Sequence, residues 1–136
     1  MSNANEMYLH SETTEQIIKA YFHVYKKLGF GFIEKIYENS LAITLRKRGF
    51  EVQQQEPVAV YFEGELVGEY NADLIVNRKV IVELKSVETF HNRHEVQLLN
   101  YLRATPIEVG LLMNFGEKPA FKRRIFTNDR KSHSDD

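Results

Sequence analysis

Apolar residues first recur at helical spacing, with Ile17, Ile18, Tyr21, Val24, Tyr25 and Leu28 on one stripe. Thr13 followed three residues later by Gln16 matches a capping box, and Gly29 supplies a C-terminal stop. The spacing predicts a second helix from about Ile33 to Arg48, with Ile33, Ile36, Tyr37, Leu41 and Leu45 on its apolar side and Gly49 at its end. Only Phe30-Gly31-Phe32 separates the two helices. Beyond Gly49 the period drops to two. One extended run starts at Phe50-Glu51-Val52, and another, Val58 to Phe62, follows Pro57, with Glu63-Gly64 as a turn. Strands are predicted over about Leu66 to Val76 and Val80 to Val87, joined at Asn77-Arg78-Lys79. A third helix runs from about Asn92 to Ala104, carrying Val96, Leu99 and Leu102, and Thr105-Pro106 ends it. Val109 to Phe115 is almost wholly apolar, as expected of a central strand buried on both faces, and Phe121 to Phe126 is a weaker, basic edge strand. This order gives an α/β sandwich with a mixed sheet, not a regular βαβ repeat.

Length and composition narrow the class. A chain of 136 residues is the size of one domain, and 43% hydrophobic content suffices for a core without staples. The reading is a single domain over residues 13–127, between a flexible N-terminus at 1–12 and a flexible tail at 128–136. Cysteine is absent, which removes disulfides, thiolate metal sites and a cysteine nucleophile; a reducing cytoplasm is the expected location. No run of about 18 apolar residues is present, and no basic start leads into an apolar stretch, so neither a membrane span nor a secretion signal is expected. The formal net charge of -1 argues against gripping nucleic acid by bulk electrostatics.

Candidate chemistry emerges from strand register. Leu74 and Val76 must share a face with Val80, Val82 and Leu84 if these aliphatics are to form one core layer. In an antiparallel hairpin this pairs 76 with 80, 74 with 82 and 72 with 84, and sets Asp73 opposite Glu83. Like charges directly opposite on a sheet are unfavourable, by up to about 1 kcal/mol when exposed and more when buried. A compensating cation is therefore expected. Lys85, two residues beyond Glu83, is one candidate and a hard divalent metal such as Mg²⁺ or Mn²⁺ is the other. A plain acid–lysine network on an exposed strand face accounts for the same pattern. On the following helix Gln97 and Tyr101 are spaced i, i+4, with His94 one turn earlier, although amphipathic helices normally carry a polar side. Glu34, with Tyr37 and Glu38, opens the second helix, where a carboxylate is also favoured by the helix dipole.

Taken in order, these residues resemble the PD-(D/E)XK nuclease superfamily. Asp73 matches the acid of one hairpin strand and Glu83-Leu84-Lys85 the acid-x-lysine of the next. Gln97 with Tyr101 looks like the glutamine-x-x-x-tyrosine element of the exonuclease branch linked to recombination helicases. More closely, Gly31-Phe32-Ile33-Glu34-Lys35-Ile36-Tyr37 resembles the signature of the GxxExxY protein family, a small, largely uncharacterised prokaryotic branch. Tyr70-Asn71-Ala72-Asp73-Leu74-Ile75-Val76, Gln97-Leu98-Leu99-Asn100-Tyr101-Leu102 and Val109 to Gly116 look like that family too. Ala72 stands where the superfamily name has proline.

The resemblance implies a restriction-endonuclease-like αβββαβ core and metal-dependent hydrolysis of phosphodiester bonds in DNA or RNA. Asp73 and Glu83 would hold Mg²⁺ or Mn²⁺, with the Leu84 carbonyl as a further ligand and Glu34 completing the shell. Lys85 would orient or activate the attacking water, Gln97 would position Lys85 or that water, and Tyr101 would support the helix edge or touch the nucleic-acid backbone. A catalytically inactive nuclease fold serving as a binding or assembly module is the alternative. Two basic clusters, Arg46-Lys47-Arg48 and Lys122-Arg123-Arg124, offer a few phosphate contacts. The expected nucleic-acid affinity is thus weak, and a protein partner or a homodimer is expected to help present the substrate.

Overall fold

The computed structural model describes residues 8–131. The first apolar stripe forms helix α1 (Ser11–Leu28), which buries Ile17, Ala20, Tyr21 and Val24. The helix starts ahead of Thr13, and the capping box expected from Thr13 and Gln16 does not form. Instead His10 stands at the N-cap in the left-handed region, and the Ser11 N–H donates to the Tyr8 carbonyl at 3.0 Å. Helix α2 spans Glu34–Lys47 and buries Tyr37, Glu38, Leu41, Ala42 and Leu45. The remaining elements are β1 (Val52–Phe62), β2 (Glu65–Val76), β3 (Val80–Lys85), α3 (Asn92–Arg103), β4 (Val109–Asn114) and β5 (Ala120–Ile125). β1 runs unbroken through Pro57, where the sequence suggested two runs, because β1 is an edge strand and can tolerate a missing N–H. β3 ends at Lys85, short of the expected Val87.

The sheet order is β1-β2-β3-β4-β5. β3 and β4 are parallel and every other pair is antiparallel, so α3 supplies the crossover that parallel pairing needs. One face of the sheet packs on α1 and α2 through Leu74, Val76, Val80, Val82, Leu84 and Leu111. The other carries α3 through Ile75, Ile81, Leu98, Leu102 and Leu112. β4 is buried along its whole length, as its apolar run requires.

The described C-terminal residues are not a loose tail. Asn128–Arg130 form a 3-10 turn, the Asn128 N–H donates to the Glu108 carboxylate at 2.7 Å, and the Lys131 ammonium donates to the Thr105 and Ile107 carbonyls at 2.8 Å. Polar side chains fix this segment where the sequence offered no apolar anchor. The rest of the expected flexible ends, residues 1–7 and 132–136, lies outside the described residues.

Candidate active site

The β2–β3 ladder pairs Val76 with Val80, Ile75 with Ile81 and Leu74 with Val82, as the hydrophobic layer demands, and there its register ends. The expected pair of Ala72 with Leu84 does not form. Ala72 lies in the α3-side layer while Leu84 lies in the α1/α2-side layer, so the alternation of β2 breaks at Asp73. Side chains take over from the backbone ladder at this point. The Asp73 N–H donates to the Glu83 carboxylate at 3.0 Å, and the Leu84 N–H donates to the Asp73 carboxylate at 2.8 Å. The two acids are therefore laced together by each strand's backbone, which fixes both.

The cause of the break lies on β1. Gln55, opposite Asp73, takes φ 54°, and the β1–β2 register resumes on either side with Gln54 on Leu74 and Glu56 on Ala72. Left-handed backbone at a non-glycine residue stores strain of order 1 kcal/mol and concentrates at functional sites. Here the Gln55 amide donates to Glu38 at 2.8 Å and to Asp73 at 3.2 Å. Glu38 itself is only 4% exposed and also accepts from the Gln54 amide at 2.8 Å and the Lys35 ammonium at 3.1 Å. Gln55 joins the candidate site without having been singled out from the sequence, where Glu38 was named only beside Glu34 and given no role. The available signals were the position of Glu38 on the same face as Leu41 and Leu45, and a Gln53-Gln54-Gln55 run inside a strand.

Electrostatics follow from this crowding. Burial, then the neighbouring Asp73 carboxylate, pushes Glu83 up to about 8. Burial raises Asp73 as well, opposed by the hydrogen bonds from Leu84 and Gln55. Lys85, half-buried beside them, lowers both values, and its ammonium makes no hydrogen bond or ion pair among the described residues. One buried and one half-buried carboxylate, both hydrogen-bonded and without a full counter-charge, form an oxygen-only donor set that fits a hard divalent cation. No group of three His, Cys, Asp or Glu able to hold a metal converges among the described residues, so any ion held by the two acids would take its other positions from backbone oxygen, water or substrate phosphate.

The remaining predicted positions divide. The Glu34 carboxylate accepts the Ser86 N–H at 3.1 Å, immediately after Lys85; Glu38, one turn further, is the glutamate bonded into the acid cluster. The turn before α2 is closed by Tyr37, whose hydroxyl donates to the Gly29 carbonyl at 2.6 Å and accepts the Phe32 N–H at 3.2 Å, while Gly31 takes φ 114°. Tyr101 stacks on Tyr70 at 3.5 Å, and burial with the nearby Glu83 charge raises both phenols, Tyr101 to about 12. Gln97 is exposed and bonded to nothing among the described residues. His94 is buried, accepts the His91 N–H at 3.2 Å, and is lowered by burial and then by Lys85. Behind Lys85, the Asn114 amide clamps both backbone groups of Val87, at 2.9 and 2.8 Å. The basic clusters are mostly engaged within the fold. Lys122 and Arg124 both bind Glu95, Arg123 bonds the Leu9 carbonyl, and Arg46 bonds the Val52 carbonyl and Gln54.

Two acids and a lysine at the break of a central hairpin, on a mixed sheet with helices on both faces, define a restriction-endonuclease-like domain. The chain belongs to the PD-(D/E)XK nuclease superfamily, whose model matches residues 11–125. No curated protein matches the sequence. Among solved structures the chain is similar in fold to the crystal structure of SSO0001, at a TM-score of 0.57 and 16% identity. That likeness covers 87% of this chain and 60% of the other. No helix among the described residues is long and apolar enough to cross a membrane.

Proposed function

We propose that the chain is a metal-dependent nuclease of the GxxExxY branch, hydrolysing phosphodiester bonds in DNA or RNA. The observation that carries this reading is the lacing of Asp73 and Glu83 through the Asp73 and Leu84 N–H groups, with the Lys85 ammonium beside them and without a partner among the described residues. Asp73 and Glu83 would hold Mg²⁺ or Mn²⁺, with the Leu84 carbonyl as a further ligand; such an ion supplies Lewis acidity and a more acidic bound water. Lys85 donates a positive charge to the developing negative charge on the phosphate. The Gln55 amide on β1 holds the Asp73 carboxylate in place, and Glu38 on α2 holds that amide. Glu34 acts through Ser86, on the residue after Lys85, and its place in the shell is as an outer member. Tyr101 packs the α3 edge beside Glu83, and Gln97 faces outward, available to substrate or water. Nucleic acid is the partner the superfamily implies; a second copy or another protein would present it.

A catalytically idle binding module is the second reading, favoured by one observation: both oxygens of Asp73 already accept hydrogen bonds from within the chain. A cleavage screen over single-stranded, duplex and branched DNA and RNA with Mg²⁺ or Mn²⁺ separates the two. Cleavage is expected in the parent and is lost by a factor of about 100 or more in Asp73→Asn and in Lys85→Ala. A Lys85→Ala protein that cuts as fast as the parent refutes the role given to that lysine.

A further inference from the structure

We propose that the groove between the tip of the β1–β2 hairpin and the C-terminal end of α3 is a track for one nucleic-acid strand, with bases on Tyr61 and Phe62 and phosphates toward Arg103 and Lys131. The inference rests on the nuclease reading above and narrows its substrate to unpaired nucleic acid. The groove has a cavity volume of about 920 Å³, room for a few nucleotides and not for a duplex.

Its outer wall is built to present aromatic faces. Glu63 and Gly64 take φ 50° and 80°, forming the tight two-residue turn that suits the twist of a hairpin, with Phe62 paired to Glu65. This holds Tyr61 and Phe62 out at 48% and 63% exposure among the described residues. Paired, stacked bases hide their faces, whereas an unpaired strand offers one face per nucleotide to such rings.

The inner end of the groove is lined by the tyrosine pair that stacks near the acids, not by the acids themselves. Tyr70 and Tyr101 both lie close enough to Glu83 to feel its charge. The Tyr70 hydroxyl beneath the groove is buried with no hydrogen-bond partner among the described residues. The charge also suits a polyanion. Arg103 and Lys131 are the cations of the lining against the single carboxylate of Glu63. Arg103 lies over the Phe126 ring at 5.1 Å with no carboxylate partner among the described residues, and Lys131 is pinned by two carbonyls. Both cations are thus placed in advance, on a chain whose net charge is only -1.

The test is equilibrium binding of a labelled single strand of about ten nucleotides, and of the same sequence as a duplex, to the full chain in EDTA, so that binding is read without cleavage. The single strand is expected to bind at least about tenfold more tightly than the duplex. The double variant Tyr61→Ala/Phe62→Ala and the single variant Arg103→Gln are each expected to weaken single-strand binding about tenfold, with Tm unchanged. Equal or tighter duplex binding, or parental binding by both variants, overturns the proposal. So does a parent that light scattering shows to be a dimer, which the double variant converts to monomer while single-strand affinity is unchanged; that outcome assigns the face to a second copy. The two claims fail separately. Groove-dependent binding without any metal-dependent cleavage leaves the track and removes the nuclease, and cleavage with groove-independent binding does the reverse.

Discussion

At the scale of single residues, the acid pair is the point of greatest tension, and its titration is measurable. Between the ordinary value of 4.5 and about 8, the folded chain keeps a proton on Glu83 that the unfolded chain has lost. Raising the pH through that window removes stability from the metal-free protein, and it also removes the proton that competes with a cation. The Mg²⁺-linked rise in Tm is therefore expected to be larger at about pH 8.5 than at about pH 6.5; an equal or smaller rise contradicts Glu83 as a ligand. Glu38 gives a second test. Glu38→Gln keeps the shape but sets an N–H₂ group against the Gln54 or Gln55 amide, and Gln54 is held from flipping because its oxygen accepts from Arg46 at 3.1 Å. Urea unfolding should show a loss of about 1–3 kcal/mol. Asp73, Glu83 and Lys85 were legible in the sequence because one aliphatic layer admits one register. Gln55 was not, since nothing local announces left-handed backbone at a glutamine; Glu38 stood out only as a neighbour of Glu34, and an unbroken alternation wrongly paired Ala72 with Leu84.

At the scale of elements, period and punctuation located the helices and strands, and failures came where tertiary pairing overrode a local signal. Pro57 marked a gap that an edge strand simply absorbs, and Thr13 offered a cap that the turn at Tyr8–His10 pre-empted. What no pattern revealed is how closely α3 sits on β4. A Cβ added at Gly110 would lie 2.7 Å from a Leu98 methyl carbon and 3.1 Å from its branch carbon, so the absence of a side chain sets the depth of α3. Gly110→Ala must push Leu98 outward, and with it the helix that carries His94 and Tyr101. A stability loss of about 1–3 kcal/mol is expected from denaturant melts, accompanied by reduced cleavage. Unchanged stability would mean that the helix shifts freely and does not hold the site's edge.

At the scale of the whole molecule, the net charge of -1 reads as a distribution, not an average. Glu38, Asp73 and Glu83 gather at one site, while Lys122 and Arg124 are spent on Glu95 and Arg46 on the end of β1. The groove itself is lined by two cations, so binding along it should be modest and shallow in salt. Two contacts, from Arg103 and Lys131, imply a slope of roughly -1.4 in log affinity against log salt for a single strand. A slope several-fold steeper would mean that cations outside the groove carry the binding. The general architecture was open to reading because strand order and hydrophobic layers are properties of the chain, whereas the pairing of basic clusters with Glu95 depends on which strands become neighbours. The most direct measurement of the central claim is metal-dependent cleavage by the parent, Asp73→Asn, Glu83→Gln and Lys85→Ala proteins side by side, each first shown to be folded. Cleavage by the parent alone, only with Mg²⁺ or Mn²⁺ present, is the predicted result; cleavage that survives in Asp73→Asn or persists in EDTA would contradict the account.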